Sequence, residues 1–204
     1  MKIWLSLAVG VTLASVGGVA WADDAATATD LVKGLCSNCH GEHGRSVSPT
    51  FPNLAGQQEE YIEIQLKAFR DRSRADPHAQ AYMWGMASSP KLTNGVIEEL
   101  AKYFSKQTPA AGTPASDTAL AEKGKALFLH GADKRGIPEC AACHGDNAAG
   151  NEAIPRLAGQ HKQYLVAQLE AFQSNLRQNP TMHQNASKLT SDDIDALATY
   201  LASQ

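Results

Sequence analysis

Apolar residues recur along this chain at the spacing of amphipathic helices. Leu165, Leu169 and Phe172 stand four and three residues apart, and the segment 62–69 repeats that spacing in the first half. Intervals of three and four place apolar side chains on one face of a helix. No segment shows the strict alternation of a half-buried strand. The pattern therefore predicts an all-α fold, with three or slightly more helices in each half.

The two halves are copies of one another. Residues 51–69 read FPNLAGQQEEYIEIQLKAF and residues 154–172 read IPRLAGQHKQYLVAQLEAF, identical at ten of 19 aligned positions. A C-x-x-C-H-G motif precedes each segment, at 36–41 and at 140–145, which are 104 residues apart. A repeat that keeps its order over a whole domain indicates internal duplication.

A segment rich in proline, alanine, glycine, serine and threonine separates the copies. Residues 108–118 read TPAAGTPASDT and show no apolar periodicity, which is typical of a linker. The sequence therefore predicts a first domain at 23–108, a linker at 109–116 and a second domain at 117–204.

The first 22 residues have the features of a cleaved signal peptide. Lys2 provides a positive start, an apolar stretch follows, and Ala20-Trp21-Ala22 matches the small-residue pattern of a cleavage site. Glycines interrupt the apolar stretch, which is too short for a comfortable membrane span. We expect an exported, soluble mature protein that begins at Asp23.

Composition and charge exclude some functions. The 204-residue chain has 43% hydrophobic residues, 19% charged residues and a formal net charge of -3, the profile of an ordinary folded protein. Because there is no large basic field, we expect no nucleic-acid partner. Residues 23–109 and 110–204 each carry a formal charge of -2, which gives no support for a strongly dipolar molecule.

All four cysteines belong to the two C-x-x-C-H motifs, and in an exported protein this motif is typical of c-type haem attachment. Two thiols on one helical turn can each bond a vinyl group of the same porphyrin, and the adjacent histidine then reaches the iron. We predict two covalent haem c groups, each held by two cysteines and one histidine: Cys36, Cys39 and His40 in the first domain, and Cys140, Cys143 and His144 in the second.

A disulfide or a zinc site would suit these cysteines less well. A thioredoxin-type disulfide expects a βαβ context, and a zinc ribbon places its two C-x-x-C pairs about 15 to 20 residues apart. A domain of about 85 to 90 residues without spare cysteines for disulfides is also small for a self-sufficient core. A bulky apolar group inside each domain would remedy that shortage.

A methionine is the expected second axial ligand of each iron. Met182 is the only methionine of the second domain, and it follows an Asn-Pro-Thr loop before the last predicted helix. The neighbouring His183 is an alternative ligand. A buried methionine that only fills space is an alternative role for Met182.

The first domain offers two methionines. The Met-x-x-x-Ala pattern of residues 182–186 aligns with Met83 and Ala87, which favours Met83. The interval from the methionine to the Leu-Thr pair of the last helix is less decisive, because it is seven residues in the second domain, nine for Met83 and six for Met86. We predict Met83 as the ligand and keep Met86 as the alternative.

Together these motifs resemble the cytochrome c4 family of dihaem cytochromes. The likeness rests on two copies of C-x-x-C-H-G and of P-x-L-A-G-Q-x-x-x-Y-x-x-x-Q-L-x-x-F, each followed by an axial methionine and a closing helix with a late tyrosine. It covers essentially the whole chain after residue 22. It implies two tandem class-I cytochrome c-like domains, each wrapped around one covalent haem, with an approximate two-fold axis between them.

The resemblance also implies roles for individual residues. Pro52 and Pro155 would offer backbone carbonyls to the free ring N–H groups of the two histidines and so orient the rings. Gly124 would permit a close crossing of the first and last helices near Tyr200. Thr29 stands where a glycine is usual in the first domain, which predicts a looser crossing there.

The function implied by the resemblance is electron transfer. Family members are periplasmic carriers, often bound loosely to the inner membrane, that pass single electrons from respiratory complexes towards terminal oxidases or related reductases. Ligation by histidine and methionine suits one-electron exchange, so we expect a carrier rather than an enzyme. One alternative is an electron-accepting subunit of a periplasmic dehydrogenase, such as a flavoprotein that oxidises a sulfur compound. A dihaem peroxidase is a second alternative, which a methionine in each domain argues against.

Overall fold

The computed structural model describes residues 18–204, with side chains from residue 23 onward. The predicted signal peptide falls mostly on residues 1–17, outside the described part. The described first half contains α1 (Gly18–Leu31), α2 (Ser37–His40), α3 (Glu59–Arg70), α4 (Trp84–Ala87) and α5 (Asn94–Ser105). The second half contains α6 (Thr118–His130), α7 (Ala141–His144), α8 (Lys162–Gln173), α9 (Pro180–Ala186) and α10 (Ser191–Ala202).

These helices confirm the all-α prediction. Residues 18–204 form no β-strand, only two isolated bridges between residues 132 and 137 and between residues 151 and 154. Within the same residues, no helix combines the length and the hydropathy needed to cross a membrane.

Local sequence signals set the starts of the last helix in each half. The hydroxyl of Thr93 accepts a hydrogen bond of 3.1 Å from the backbone N–H of Val96, and Thr190 accepts one of 3.2 Å from Asp193. The carboxylate of Asp193 in turn accepts the backbone N–H of Thr190 at 2.9 Å. This reciprocal capping box satisfies backbone groups that a helix start otherwise leaves unpaired.

Each half buries its own apolar cluster around its last helix. Helix α5 packs on α1 and α3, and α10 packs on α6 and α8. Ile97 and Leu100 are almost fully buried in the first cluster, as are Phe128 and Leu197 in the second. The two copies therefore form separate cores with the same arrangement of helices.

The first and last helices of the second half touch at the backbone. A Cβ atom on Gly124 would lie 2.0 Å from the carbonyl oxygen of Ala196 on α10, so the close approach requires glycine. One turn later, the ring of Phe128 packs on Tyr200 with centroids 5.6 Å apart. The crossing expected at Gly124 and Tyr200 is thus present.

The corresponding crossing in the first half uses a different small residue. Ala28 on α1 is 3% exposed and belongs to the buried cluster. Thr29 is exposed, and its hydroxyl donates a 2.9 Å hydrogen bond to the carbonyl oxygen of Ala25. The sequence pattern pointed to Thr29, whereas the helix turns Ala28 into the core.

The halves differ in how the first helix reaches the cysteines. Helix α1 continues through a π-helical segment, Val32–Cys36, directly into α2. Helix α6 stops before Gly131, and a loop at 131–139 precedes the second pair of cysteines. Arg135 in this loop donates hydrogen bonds of 2.6 and 3.1 Å to the two carboxylate oxygens of Asp193. These bonds lower the pKa of Asp193 to about 2.

The segment between the halves lies against the end of α10. The backbone N–H of Thr113 donates to the carbonyl oxygen of Ala202 at 2.8 Å. A Cβ atom on Gly112 would lie 2.3 to 2.5 Å from backbone atoms of Ser203 and Gln204. This part of the predicted linker is therefore packed on the second half.

We expect Gly124→Ala to lower the free energy of unfolding by about 1–3 kcal/mol, as overpacking of a tight contact usually does. The added methyl group would push α6 away from α10. Chemical denaturation followed by far-ultraviolet circular dichroism measures the change. Gly34→Ala is the matched control, because a Cβ atom at Gly34 has no neighbour within 4 Å. Equal losses in both variants would contradict the role of the crossing.

Candidate functional site

Each C-x-x-C-H motif forms one turn of helix that ends at a glycine. Cys39 and His40 lie on α2, and Cys143 and His144 lie on α7. Residues three apart on a helix lie on the same side, so the two thiols of each motif share one face. The glycines at 41 and 145 have φ angles of 78° and 77°, a left-handed region that favours glycine. The glycine after each histidine is therefore part of the turn.

Both histidine rings are buried and held by a proline carbonyl. The Nδ1 atom of His40 lies 2.9 Å from the carbonyl oxygen of Pro52, and that of His144 lies 3.1 Å from Pro155. A carbonyl only accepts hydrogen bonds, so Nδ1 carries the hydrogen and Nε2 keeps a free lone pair. Burial lowers the pKa of both histidines. Each ring is thus neutral and oriented, with a free nitrogen that could bind a metal ion.

The free thiol of the first cysteine in each motif is half-buried and favours its protonated form. Burial raises the pKa of Cys36 to about 11, and it raises the pKa of Cys140 to the same value. Reactive redox cysteines show the opposite shift, because the thiolate is their working form. None of the four cysteines forms a disulfide.

One apolar cavity connects the two motifs. It has a volume of about 840 Å³, and all four cysteines and both histidines contribute to its wall. Apolar side chains from both halves complete the lining, among them Leu66, Phe69 and Leu100 from the first and Leu169, Phe172 and Leu197 from the second. The cavity therefore belongs to both domains and spans their interface.

The candidate methionines all line this cavity. Met83 and Met182 pack against the buried clusters of their own halves, whereas Met86 is 45% exposed. The alanines four residues after Met83 and Met182 are both 1% exposed. His183 does not line the cavity, and its Nδ1 donates to the carbonyl oxygen of Phe172 at 2.8 Å.

Two glutamines each bind the backbone of the opposite half across the domain interface. The side chain of Gln160 accepts the backbone N–H of Asn53 at 2.8 Å and donates to the carbonyl oxygen of Asn53 at 3.0 Å. Gln57 makes the same pair of bonds with the backbone of Arg156, at 2.7 and 3.0 Å. The four bonds are related by the duplication, since each residue and its counterpart are 103 residues apart.

A second pair of contacts follows the same symmetry. The Nε2 atom of Gln58 donates to the carbonyl oxygen of Ala149 at 2.9 Å, and Nε2 of His161 donates to that of Ser46 at 2.9 Å. These equivalent hydrogen bonds show that the two halves are related by an approximate two-fold axis.

Two arginines and two glutamines form a hydrogen-bonded square at the interface, and all of them except Gln65 are buried. Arg74 and Arg177 are both 7% exposed. Arg74 donates to Gln65 at 2.8 Å and to Gln168 at 2.7 Å, and Arg177 donates to Gln168 at 2.6 Å and to Gln65 at 2.9 Å. All four side chains line the cavity. The site therefore has an apolar wall and a concentrated positive charge.

The positive charges of Arg74 and Arg177 change the pKa of the neighbouring Tyr61. Arg177 donates to the hydroxyl oxygen of Tyr61 at 2.8 Å. Burial alone would raise the pKa of Tyr61, but the charges of Arg177 and Arg74 outweigh burial and lower that pKa. An anionic group at this end of the cavity would be stabilised in the same way.

Comparison with known proteins identifies the architecture. The model of the family described as cytochrome c matches the chain twice, over residues 25–108 and 121–204. The cytochrome c4 of Azotobacter vinelandii is 35% identical over 210 residues, which cover 98% of this chain and 96% of the relative. The chain belongs to the cytochrome c family, with the two-domain cytochromes c4.

Further relatives agree with this assignment. The structure of Acidithiobacillus ferrooxidans cytochrome c4 superposes with a TM-score of 0.78 at 40% identity, covering 83% of this chain and 98% of that one. A thiosulfate dehydrogenase electron acceptor from Thiomonas intermedia is 33% identical over 100% of this chain and 94% of the relative. This cytochrome therefore carries two covalent haem c groups and functions as an electron carrier.

The cavity of this cytochrome fits haem c. Its wall is apolar, as a porphyrin plane requires, and both pairs of thiols face it. Two buried donors on the wall, Nε of Arg156 and Nε2 of Gln168, have no acceptor among the described residues. A buried donor without a partner is costly, and haem propionates are acceptors of the right charge.

The polar residues of the interface were not predicted from the sequence. Gln57 and Gln160 belong to the repeated LAGQ segments, and Arg74 and Arg177 also stand 103 residues apart. Repetition of these four polar residues was the available signal. It does not show that they face the other copy, because a repeat carries no information on how two domains dock.

We expect Gln160→Ala to loosen the docking of the two domains, because it leaves the buried backbone N–H of Asn53 without an acceptor, at a cost of about 1–3 kcal/mol. Small-angle X-ray scattering should show a larger radius of gyration, and thermal unfolding should begin earlier. Gln173→Ala is the control, since Gln173 donates within its own domain, to the carbonyl oxygen of Leu189. Unchanged scattering and unfolding for Gln160→Ala would contradict the prediction.

Proposed function

We propose that each C-x-x-C-H turn attaches one haem through two thioether bonds and one histidine nitrogen. The cysteines are Cys36 and Cys39 in the first domain and Cys140 and Cys143 in the second, with His40 and His144 as the proximal ligands. The observation that carries this proposal is the pair of neutral, buried histidines that face one cavity with Nε2 free. Pro52 and Pro155 would fix the ring orientations through their carbonyl oxygens.

We propose Met83 and Met182 as the second axial ligands. Both line the cavity and are packed against a core, and each precedes an equivalent buried alanine by four residues. Met86 aligns with Asn185, and its exposure speaks against a ligand held inside the domain. His183 does not line the cavity, which favours Met182 over this histidine.

We propose that the protein works in the periplasm after removal of residues 1–22, with domains at 23–108 and 117–204 joined by 109–116. Haem c supplies reversible one-electron exchange at its iron. The chain fixes the ligands, surrounds the porphyrins with apolar side chains and places both redox centres in one cavity. We propose that it shuttles single electrons from respiratory donor complexes to a terminal oxidase or reductase, with peripheral association at the membrane.

A second candidate is a dedicated electron acceptor of a periplasmic dehydrogenase. The likeness to a protein named thiosulfate dehydrogenase electron acceptor, over the whole of this chain, favours this candidate. Both functions use the same two haems and differ only in the donor protein. The donor protein, and not the haem site, therefore distinguishes the two candidate functions.

Fractionation followed by spectroscopy tests the proposal. We expect the protein in the periplasmic fraction with two haems per chain, two reversible one-electron steps and the absorption band of methionine-ligated ferric haem. Reduced protein should be reoxidised by respiratory membranes. Rapid reduction by thiosulfate with purified thiosulfate dehydrogenase, without exchange with membranes, would favour the second candidate. Turnover of hydrogen peroxide would contradict both.

The two methionines of the first domain can be separated by single substitutions. We expect Met83→Leu to abolish the first domain's share of the methionine–iron band, because leucine has no sulfur. Met86→Leu should keep the full band and cost less than about 1.5 kcal/mol of stability, as volume-conserving swaps usually do. Met182→Leu is the matched control for the second domain. Loss of the band in Met86→Leu but not in Met83→Leu would reverse the assignment.

A further inference from the structure

The residue that directly follows each proposed axial methionine carries a ring N–H group. These residues are Trp84 after Met83 and His183 after Met182, at aligned positions of the two copies. Successive residues rotate by about 100° around a helix. Both methionines line the cavity, whereas neither Trp84 nor His183 does. In both halves, therefore, the methionine lies on the cavity wall and the ring that follows it lies away from the cavity.

Both rings bind a backbone carbonyl group of the cavity wall. Nε1 of Trp84 donates to the carbonyl oxygen of Arg74 at 2.8 Å. Nδ1 of His183 donates to the carbonyl oxygen of Phe172 at 2.8 Å. Arg74 and Phe172 both line the cavity. Each hydrogen bond therefore ties the methionine segment to another part of the same wall.

The two carbonyl groups belong to well-packed parts of their domains. Phe172 lies in the last turn of α8 and is 8% exposed. Arg74 follows α3 and is 7% exposed, and its backbone N–H donates to the carbonyl oxygen of Ala68 on that helix at 3.1 Å. Each ring is therefore bound to the longer helix that precedes its methionine, or to the residues held against the end of that helix.

The methionine segments are too short to keep a fixed position by themselves. Helix α9 has seven residues, and the segment that carries Met83 is helical over residues 79–87. Isolated helices shorter than about 12–15 residues are marginal in water, so tertiary contacts decide where these segments lie. The buried alanine four residues after each methionine provides one contact. The hydrogen bond of the ring provides a second contact, one residue after the methionine.

The position of the segment decides whether the sulfur stays on the iron. A methionine side chain has three rotatable bonds, so it reaches a fixed point only when its backbone is held. A small ligand binds the iron on this side only after the sulfur has left. A contact that holds the segment in its bound position lowers the population of the open form. The apparent affinity for a competing ligand therefore measures that population.

We propose that Trp84 and His183 are positioning residues for the axial methionines. The hydrogen bond of each ring holds the methionine segment against the wall and keeps the sulfur at the iron. This inference rests on the proposed function, because it requires Met83 and Met182 as ligands. The two copies use different residue types and different acceptors for this role, so no repeated motif marks these positions in the sequence.

Imidazole binding to the oxidised holoprotein tests the proposal in the second domain. His183→Leu removes the donor, whereas His183→Asn keeps an N–H group on an atom bonded to Cγ, as Nδ1 is in histidine. We expect His183→Leu to tighten imidazole binding at the second haem by about three- to tenfold, the effect of losing one net hydrogen bond. His183→Asn should restore most of the original affinity.

Trp84→Phe is the corresponding variant of the first domain. It keeps an aromatic ring but removes the indole N–H, and it should tighten imidazole binding at the first haem by a similar factor. Ser88→Ala and Ser187→Ala are the matched controls. These serines stand five residues after the methionines, and they donate within the same segments, to the carbonyl oxygens of Gly85 at 2.8 Å and Gln184 at 3.0 Å. Neither control should change the affinity for imidazole.

Unfolding measurements on the same variants separate positioning from a purely structural role. Lower stability of His183→Leu and Trp84→Phe, with the imidazole affinity of the serine controls, would overturn the inference. Equal tightening in His183→Leu and His183→Asn would also overturn it, since the lost ring rather than the lost donor would be responsible. A change in one domain only would overturn it for the other domain. If His183→Leu fails to fold, Trp84→Phe decides the inference.

Met182→Leu tests the premise separately. Retention of the full methionine–iron band in this variant would contradict the proposed ligand, and with it this part of the proposed function. Loss of the second domain's share of the band, together with unchanged imidazole binding in His183→Leu and Trp84→Phe, would overturn the inference and leave the proposed function intact.

Discussion

The site depends on the hydrogen bonds that Gln57 and Gln160 each make to the backbone of the opposite half. Each glutamine binds the backbone of the residue that directly follows a histidine-orienting proline, Asn53 after Pro52 or Arg156 after Pro155. The same short segments therefore dock the domains and hold the two imidazole rings. Because these backbone groups are buried, breaking either exchange leaves polar atoms unpaired. Domain docking and ligand geometry are thus coupled through covalently adjacent residues.

Small domain size explains why the interface and the cofactors occupy the same volume. A domain of fewer than about 100 residues buries a limited share of its surface. In this cytochrome, the cavity that receives the haems is lined from both halves. The porphyrins supply apolar surface that neither copy provides alone. Docking of the two domains shields the residues that line the cavity from water. Stability and redox function therefore rely on the same apolar contacts.

The contacts that cross the interface have equivalent partners in both halves, whereas the contact of Asp76 within the first half has no equivalent in the second. The arginine–glutamine square and the paired glutamine exchanges keep equivalent partners in both halves. Gln57 binds the backbone of Arg156, and Gln160 binds that of Asn53. A substitution at either glutamine would therefore affect both halves. Asp76 bonds within its own half and Asn179 caps a local helix, so these positions could diverge without breaking the two-fold contacts.

The acceptor roles of Pro52 and Pro155 were implied by the resemblance to the cytochrome c4 family, and their carbonyl oxygens lie 2.9 and 3.1 Å from Nδ1 of the two histidines. The helices, the duplication and the two C-x-x-C-H motifs were readable in the amino-acid sequence alone. These features depend on spacing over a few residues or on a repeated motif, and both are readable along a chain. That Ala28 rather than Thr29 is buried became evident only in the folded protein, because one residue rotates by about 100° around a helix. The partners that Gln57, Gln160 and the two arginines have in the opposite half were also visible only there. These cross-interface contacts join residues 90 or more positions apart, and they exist only once two folded copies dock.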